Sequence, residues 1–421
     1  MKKKILSLLF AMVLVLPMAF MVVACTEEHT HSHIKTNEYI VEDSKAYTTE
    51  VCDCGNVKKT ELTNYIIATP SNAQNILDGA YGKLSGKTVV FFKGTYGTLR
   101  IRSTVDTLST IHEYNPNDPL DMETTTTLEA LSNTRAYHYT RNLNNVKFVA
   151  VDGAKFGGVF SIQSKEYQRY LWQNDALVGL EEENTLAVDP IRNVKVYDKN
   201  TNGVIDEGDI GYADHIHLED ITFENMDFFG DKGRIHFGHS YADKVEDVTF
   251  KNCTFITETP WSGNYAAIDM TTRANSRQSS IIRKNIVVDG CTIDGHFQGL
   301  ALQNVENATI KNCTIRNTVH NAINLQGNFS KGNILIDNNS LAETGDRAIR
   351  FSVLDNATVV ISNNTLTEAY DADMEIIKTQ ECPTGSSIEI KDTKVDGINL
   401  ENNTYPTSTT PQIIISKPQA N

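Results

Sequence analysis

The chain has 421 residues, with 53 acidic and 38 basic side chains and a formal net charge of −15 at pH 7. No basic cluster interrupts that acidic balance, which argues against nucleic acid or an anionic membrane surface as a partner. Its seven cysteines are too few and scattered for a disulfide scaffold, and the length exceeds a usual single core, so several domains or a repeat array are expected.

Lys2, Lys3 and Lys4 precede an apolar run from Ile5 to Val23, the pattern of a secretory signal over residues 1–24. The letters "VVAC" that close it resemble the bacterial lipobox, which implies that Cys25 becomes the lipidated first residue of the mature protein. An uncleaved membrane anchor fits less well with Pro17 and the acidic "CTEE" immediately after the run. Either way the remainder is expected to be secreted or at the cell surface, meeting a membrane only through the anchor.

Residues 25–64 hold "HTHSH" and "CDCG". They resemble a small module of secreted bacterial proteins in which paired histidines and a C-x-C-G pair close a metal site, which implies Zn²⁺ held by His31, His33, Cys52 and Cys54. A stalk without metal is the alternative. At 71–78, "SNAQNILD" reads as a short amphipathic helix with Ser71 and Gln74 as a capping box, placed to cover the open end of the strands downstream.

From there the chain repeats a phrase. "VAVDGAKF" (149–156), "ITFENMDF" (221–228), "VTFKNCTF" (248–255), "IVVDGCTI" (286–293), "ATIKNCTI" (308–315), "ILIDNNSL" (334–341), "VVISNNTL" (359–366) and "INLENNTY" (398–405) make eight copies, with a base period of roughly 22 to 27 residues plus insertions. Apolar residues at period two mean strand, and Asn or Gly at the fifth place supplies the left-handed residue of a tight bend. The sixth column, Ala154, Met226, Cys253, Cys291, Cys313, Asn339, Asn364 and Asn403, is expected to point inward, thiols packing as small apolar groups and amides bonding from rung to rung. A further short alternation comes after most copies: "VFSI", "RIHF", "AIDM", "GLAL", "AINL", "AIRF" and "DMEI". Three short strands per turn, stacked on their own copies, predict an all-β right-handed parallel β-helix over residues 65–405, with a strand or tail at 406–421, expected as a monomer. Over that span the chain resembles the pectate-lyase-like β-helix superfamily, a likeness specific for fold and poor for function.

An insertion at 164–216 contains "DKNTNGVIDEGD". Asp198, Asn200, Asn202, Val204 through its carbonyl, Asp206 and Asp209 stand at EF-hand-like ligand positions around Gly203, a spacing of hard oxygens that suits a structural Ca²⁺. A polar hairpin is the alternative.

The outward residues of the "AIDM"-type strands read Ser161, His236, Asp269, Ala301, Asn324, Arg350 and Glu375. Trp261, Tyr265, Arg273, His296 and His320 flank them. Imidazole, carboxylate and guanidinium beside aromatics suit a sugar site, with His236, Asp269, Arg273 and Arg350 as candidate catalytic residues. Trp261, Tyr265, His296, His320, Asn324 and Glu375 are the candidates for holding the substrate. The pattern supports two readings: a polysaccharide lyase or glycosidase, or a noncatalytic glycan-binding adhesin. The motifs of polygalacturonases and pectate lyases are missing, so neither family lends this chain a catalytic residue.

Overall fold

The computed structural model describes residues 33–52, 54–102, 111–112, 125–126, 137–163, 172–173, 176–177, 195–197, 210–237, 244–258, 265–271, 282–383, 385–406 and 412–419. The expected signal segment 1–24, Cys25, His31, the expected calcium ligands Asp198, Asn200, Asn202, Val204, Asp206 and Asp209, and Trp261 and Arg273 lie outside the described residues. The strands bracketing the 198–209 segment are described: Lys195–Tyr197 runs antiparallel to the start of Ile210–Glu224.

The architecture is a parallel β-helix solenoid with three strand faces per turn, wound in the right-handed sense that parallel crossovers take. The first and third faces run together into an 18-stranded sheet, and the second is a 10-stranded sheet. Corners make this winding. Where the first face meets the second, Asn225, Asn252, Gly290, Asn312, Asn338, Asn363 and Asp392 all have positive φ between 44° and 67°. Asn, Asp and Gly tolerate the left-handed region best. Their side chains also bond to the rung before: Asn338 Nδ2 donates to Asn312 Oδ1 at 2.8 Å, and Asn363 Nδ2 to Asp337 Oδ1 at 2.9 Å. Asp220, Asp247, Asn285, Asn307, Gly332, Asn356 and Gly385 repeat the device at the turn into the first face.

Inside, like stands on like. Phe148, Phe223 and Phe250 stack at 5.2 and 5.3 Å, and the same column continues as Val288, Ile310, Ile336, Ile361 and Ile390. The sixth column is buried from Ala154 to Asn364. Cys253, Cys291 and Cys313 direct their thiols at backbone carbonyls. Asn364 Oδ1 accepts from both the backbone N and Nδ2 of Asn339, each at 2.9 Å, and Asn364 Nδ2 donates to Ile336 O at 2.9 Å.

Two ends of the repeat differ from expectation. The last rung is "IEIKDTKV", 388–395, with Thr393 buried beneath Asn364. Asn403 is exposed, on a strand that runs antiparallel to the last rung. In the first copy Val146, rather than Val149, pairs with Ile221, because the bend before Ala154 is three residues longer. The helix Ala73–Leu77 forms and buries Ala73, Ile76 and Leu77, but without the capping box: its N-cap is Asn72, and Gln74 bonds instead to the backbone of Arg100. At the far end each face is closed by an antiparallel strand, Asn403–Pro406, Ile398–Asn399 and Ile414–Ser416. Among the described residues no parallel edge is left there to recruit another chain.

Ahead of the solenoid, His33–Glu42, Lys45–Cys52 and Val57–Glu61 form an antiparallel sheet. Ala46 packs it onto outward-facing Val90, Val149 and Val151 of the first face. Tyr39 donates its hydroxyl to Glu224 Oε2 at 2.8 Å, while Lys251 takes Oε1 at 2.9 Å.

The amide ladder sets a stability test. Asn364→Ala strips two donors of Asn339 of their acceptor and should cost about 2–4 kcal/mol in urea unfolding. Cys291→Ala loses only a sulfur from a packed column and should cost about 1 kcal/mol. Cys291→Asp, a buried carboxylate with no partner, should cost more than either.

Candidate functional site

Strand pairing places the outward row of the third face without ambiguity: Arg100, Ser161, His236, Asp269, Ala301, Asn324, Arg350 and Lys378 occupy successive rungs. Five of the predicted neighbours, from Ser161 to Asn324, and Arg350 after them, therefore stand where the sequence put them. Glu375 does not. Asp371 Oδ1 accepts from the backbone N of both Asp373 and Glu375, at 3.0 and 2.9 Å, and this extra turn delays the strand so that Lys378 takes the place beside Arg350. Glu375 is drawn instead into an ion cluster with Arg347, Asp346 and Asp371.

The first face shows how such a row looks when its task is stability. There Glu224, Lys251, Asp289, Lys311 and Asp337 succeed one another in register, each charge standing on its opposite, with ion pairs of 2.9 Å at Lys251–Glu224 and 3.4 Å at Lys311–Asp289. Like charges directly opposite would be destabilising. The outward row of the third face breaks that alternation, carrying Arg100, His236, Arg350 and Lys378 with one carboxylate in the row, Asp269, although Lys378 is paired with Glu375 of its own strand at 3.0 Å.

Asp269 is 3% exposed although it faces outward. Withdrawing a carboxylate from water costs several kcal/mol unless partners replace the water. Thr271 supplies two of them, its backbone N at 3.0 Å and its hydroxyl at 2.6 Å, both to Oδ1. Oδ2 faces His236 Nε2 at 3.6 Å, an ion-pair separation longer than a good hydrogen bond. Two guanidinium groups add their fields. Arg234 lies two residues before His236 on the same strand, its Cζ 3.8 Å from the centroid of the Tyr265 ring, a cation–π contact worth about 2 kcal/mol when desolvated. Burial lowers its pKa, with Asp269 and Tyr265 opposing. Arg283, 1% exposed, donates from Nη1 to Gln303 O at 2.9 Å. Burial brings it down to about 10, with Asp269 again opposing.

Around this centre two buried acceptors of the row have no hydrogen-bond partner among the described residues: Ser161 Oγ, one rung before His236, and Asn324 Oδ1, two rungs beyond Asp269. Asn324 Nδ2 is held by Gln298 and Gln326, which leaves its carbonyl oxygen presented. Tyr265 joins the centre, its ring 6.2 Å from that of His236. His296 is buried at the preceding corner and senses Arg234. His320 stands apart, paired with Asp346 at 3.1 Å. Arg350 is three rungs from Asp269, about 14 Å by rung spacing, too far to share its chemistry.

The zinc expectation is not assembled among the described residues. Cys52 and Cys54 lie side by side, with sulfurs 3.0 Å apart, and His33 pairs with Cys52 across the sheet through its backbone. The His33 side chain, like His31, is outside the described residues. Among the described residues no group of three His, Cys, Asp or Glu side chains could hold a metal ion.

Sequence reasoning missed Arg234, Arg283 and Thr271. Arg234 was within reach, since period two puts it on the same side of "RIHF" as His236. Arg283 begins a strand of the first face, and nothing in its local pattern tells that its side chain serves the third.

His296 gives the site a pH signature. Burial, then Arg234, pushes its pKa from 6.5 down to about 4. Because the folded value lies below the unfolded one, protonation favours unfolding: stability present above pH 6.5 drains away as pH falls toward 4, by up to about 3 kcal/mol. His296→Gln should flatten that part of the stability profile, measured by urea midpoints at pH 7 and pH 4.5.

No protein-family model matches the chain, and no curated protein matches it. Among solved structures, it is similar to a tailspike protein from Acinetobacter baumannii bacteriophage Fri1, a capsular polysaccharide depolymerase, at 14% identity and a TM-score of 0.26, over 88% of this chain and 67% of that one. It is also similar to a mannuronic acid specific polysaccharide family 6 lyase from human gut microbiota, at 12% identity and a TM-score of 0.20, over 79% of this chain and 83% of that one. Neither likeness assigns a role to any residue of the third face.

Proposed function

We propose that the third face takes an anionic polysaccharide and that His236 and Asp269 perform the proton transfer of an eliminative cleavage. The observation that carries this reading is the pairing of buried Asp269 with partly buried His236, at 3.6 Å, on the outward side of the solenoid beside Arg234 and Arg283. In a uronate polymer, elimination removes the proton α to the carboxylate and expels the glycosidic oxygen. His236 is the base, and the imidazolium it becomes returns the proton to the departing glycosidic oxygen. Asp269, clamped by Thr271, orients the imidazole and stabilises the imidazolium as it forms, and Arg234 offsets the charge that develops on the substrate carboxylate. Arg100 and Arg350 extend the cationic row toward carboxylates of neighbouring sugars. Hydrolysis would ask for a second carboxylate within roughly 5–9.5 Å of the first, and the row offers none among the described residues.

A noncatalytic glycan binder is the second reading, favoured by the engagement of Asp269 Oδ1 with Thr271. In both, the apolar leader and Cys25 support work outside the cytoplasm, with the 198–209 loop as a calcium-stiffened prop.

The test is a panel of uronate-rich and neutral polysaccharides, read by absorbance of new double bonds and by reducing ends. Unsaturated products are expected from a uronate polymer and not from neutral ones. His236→Ala should cut kcat by about 10²–10⁴, and Asp269→Asn should lower kcat far more than it raises KM. Reducing ends without double bonds would make the protein a hydrolase, and binding without products would make it an adhesin.

A further inference from the structure

We propose that Cys52 and Cys54 form a redox-active dithiol, closed to an intramolecular disulfide by exchange with a low-molecular-weight disulfide and reopened by a thiol. This stands apart from the polysaccharide reading and needs none of the third-face residues.

The geometry begins with a turn. The strand Lys45–Cys52 ends where the Cys52 backbone N donates to Asn56 O at 2.8 Å and its carbonyl accepts from Gly55 N at 2.7 Å. Gly55 holds the left-handed φ of 81° that the reversal needs. The chain is thereby folded back so that the Cys54 thiol donates to Cys52 Sγ at 3.0 Å, and the Cys54 backbone N reaches the same sulfur at 3.5 Å. Both residues are thiols, Cys54 exposed and Cys52 buried at 7% exposure.

That asymmetry sorts the two sulfurs into roles. Cys54 meets the reagent: its thiolate attacks one sulfur of the external disulfide, forms a mixed disulfide and expels one thiolate. Cys52, already against it, then attacks the Cys54 sulfur and expels the second. Two S–H bonds are lost and one S–S bond is formed, and the two electrons and two protons end on the two released thiols. The other described cysteines are shut out of this chemistry. Cys253, Cys291 and Cys313 are sealed in the core at no more than 1% exposure, and burial raises the Cys382 thiol to about 11.

A structural staple is a poor account of the pair. Cross-link stabilisation grows with the length of the loop closed, and here one residue separates the cysteines in a turn that two backbone hydrogen bonds already hold. A cross-link that constrains almost nothing and lies at the surface belongs to the labile class.

The full chain is incubated with oxidised glutathione, alkylated in denaturant and mapped by peptide mass. The wild type should show a disulfide joining Cys52 to Cys54, no lasting glutathione adduct, and return to two alkylatable thiols with reduced glutathione. Cys52→Ser should trap a glutathione adduct on Cys54, and Cys54→Ser should give neither product. The proposal is overturned if the wild type keeps both thiols alkylatable, or if its glutathione adduct persists unresolved. These wild-type outcomes decide even where a variant fails to fold.

Discussion

Everything in this molecule depends on parallel pairing at a rung spacing of about 4.8 Å, which sets each residue on the equivalent residue of the turn before. A residue type is therefore admissible only if it tolerates its own copies as neighbours. Phenylalanines do so by stacking, thiols by bonding to carbonyls, and asparagines by passing an amide hydrogen bond along the column. The same rule explains the left-handed corners. A bend made by one residue must be made by every residue above and below it, so Asn, Asp and Gly predominate there, with Glu343 and Glu368 as longer side chains in the corner column of Asn317.

On the outside the rule turns electrostatic. The first face solves it by alternation, and exposed ion pairs of that kind contribute little singly, their value being the avoidance of like against like. The outward row of the third face leaves the problem unsolved at Arg100 and Arg350, pairs Lys378 with Glu375 of its own strand, and places the row's carboxylate, Asp269, under two arginines and a histidine. Charge placed against the scaffold's own interest is the ground for the anionic ligand proposed above, whose sign is the one the rest of this acidic chain would repel. Local charge thus overrides net charge: −15 overall describes solubility, while the row describes what can lie on it.

Much of this was legible in the sequence, because a period of two combined with a left-handed letter at a fixed place is a signal with few other causes. The columns of Cys253, Cys291, Cys313, Asn339 and Asn364 and the sequence of Ser161, His236, Asp269, Ala301, Asn324 and Arg350 came from it directly. What was misread shares one physical reason: alternation carries no direction and no count of extra residues. "INLENNTY" alternates like a rung but runs the opposite way as a cap, and Glu375 was misplaced because a turn closed by Asp371 consumes residues that leave no mark on the pattern. Arg283 was hidden for another reason. A long side chain can serve a face to which its backbone does not belong.

The antiparallel strands that seal the C-terminal end have an evolutionary consequence. With both ends of the solenoid occupied, by the helix Ala73–Leu77 at one and three reversed strands at the other, it can lengthen or shorten only by gaining or losing a whole interior coil. Any such event between Asp269 and Arg350 would move Arg350 relative to the His236–Asp269 pair in indivisible increments, so lineages carrying this architecture should differ in that separation by integral numbers of coils and never by fractions of one.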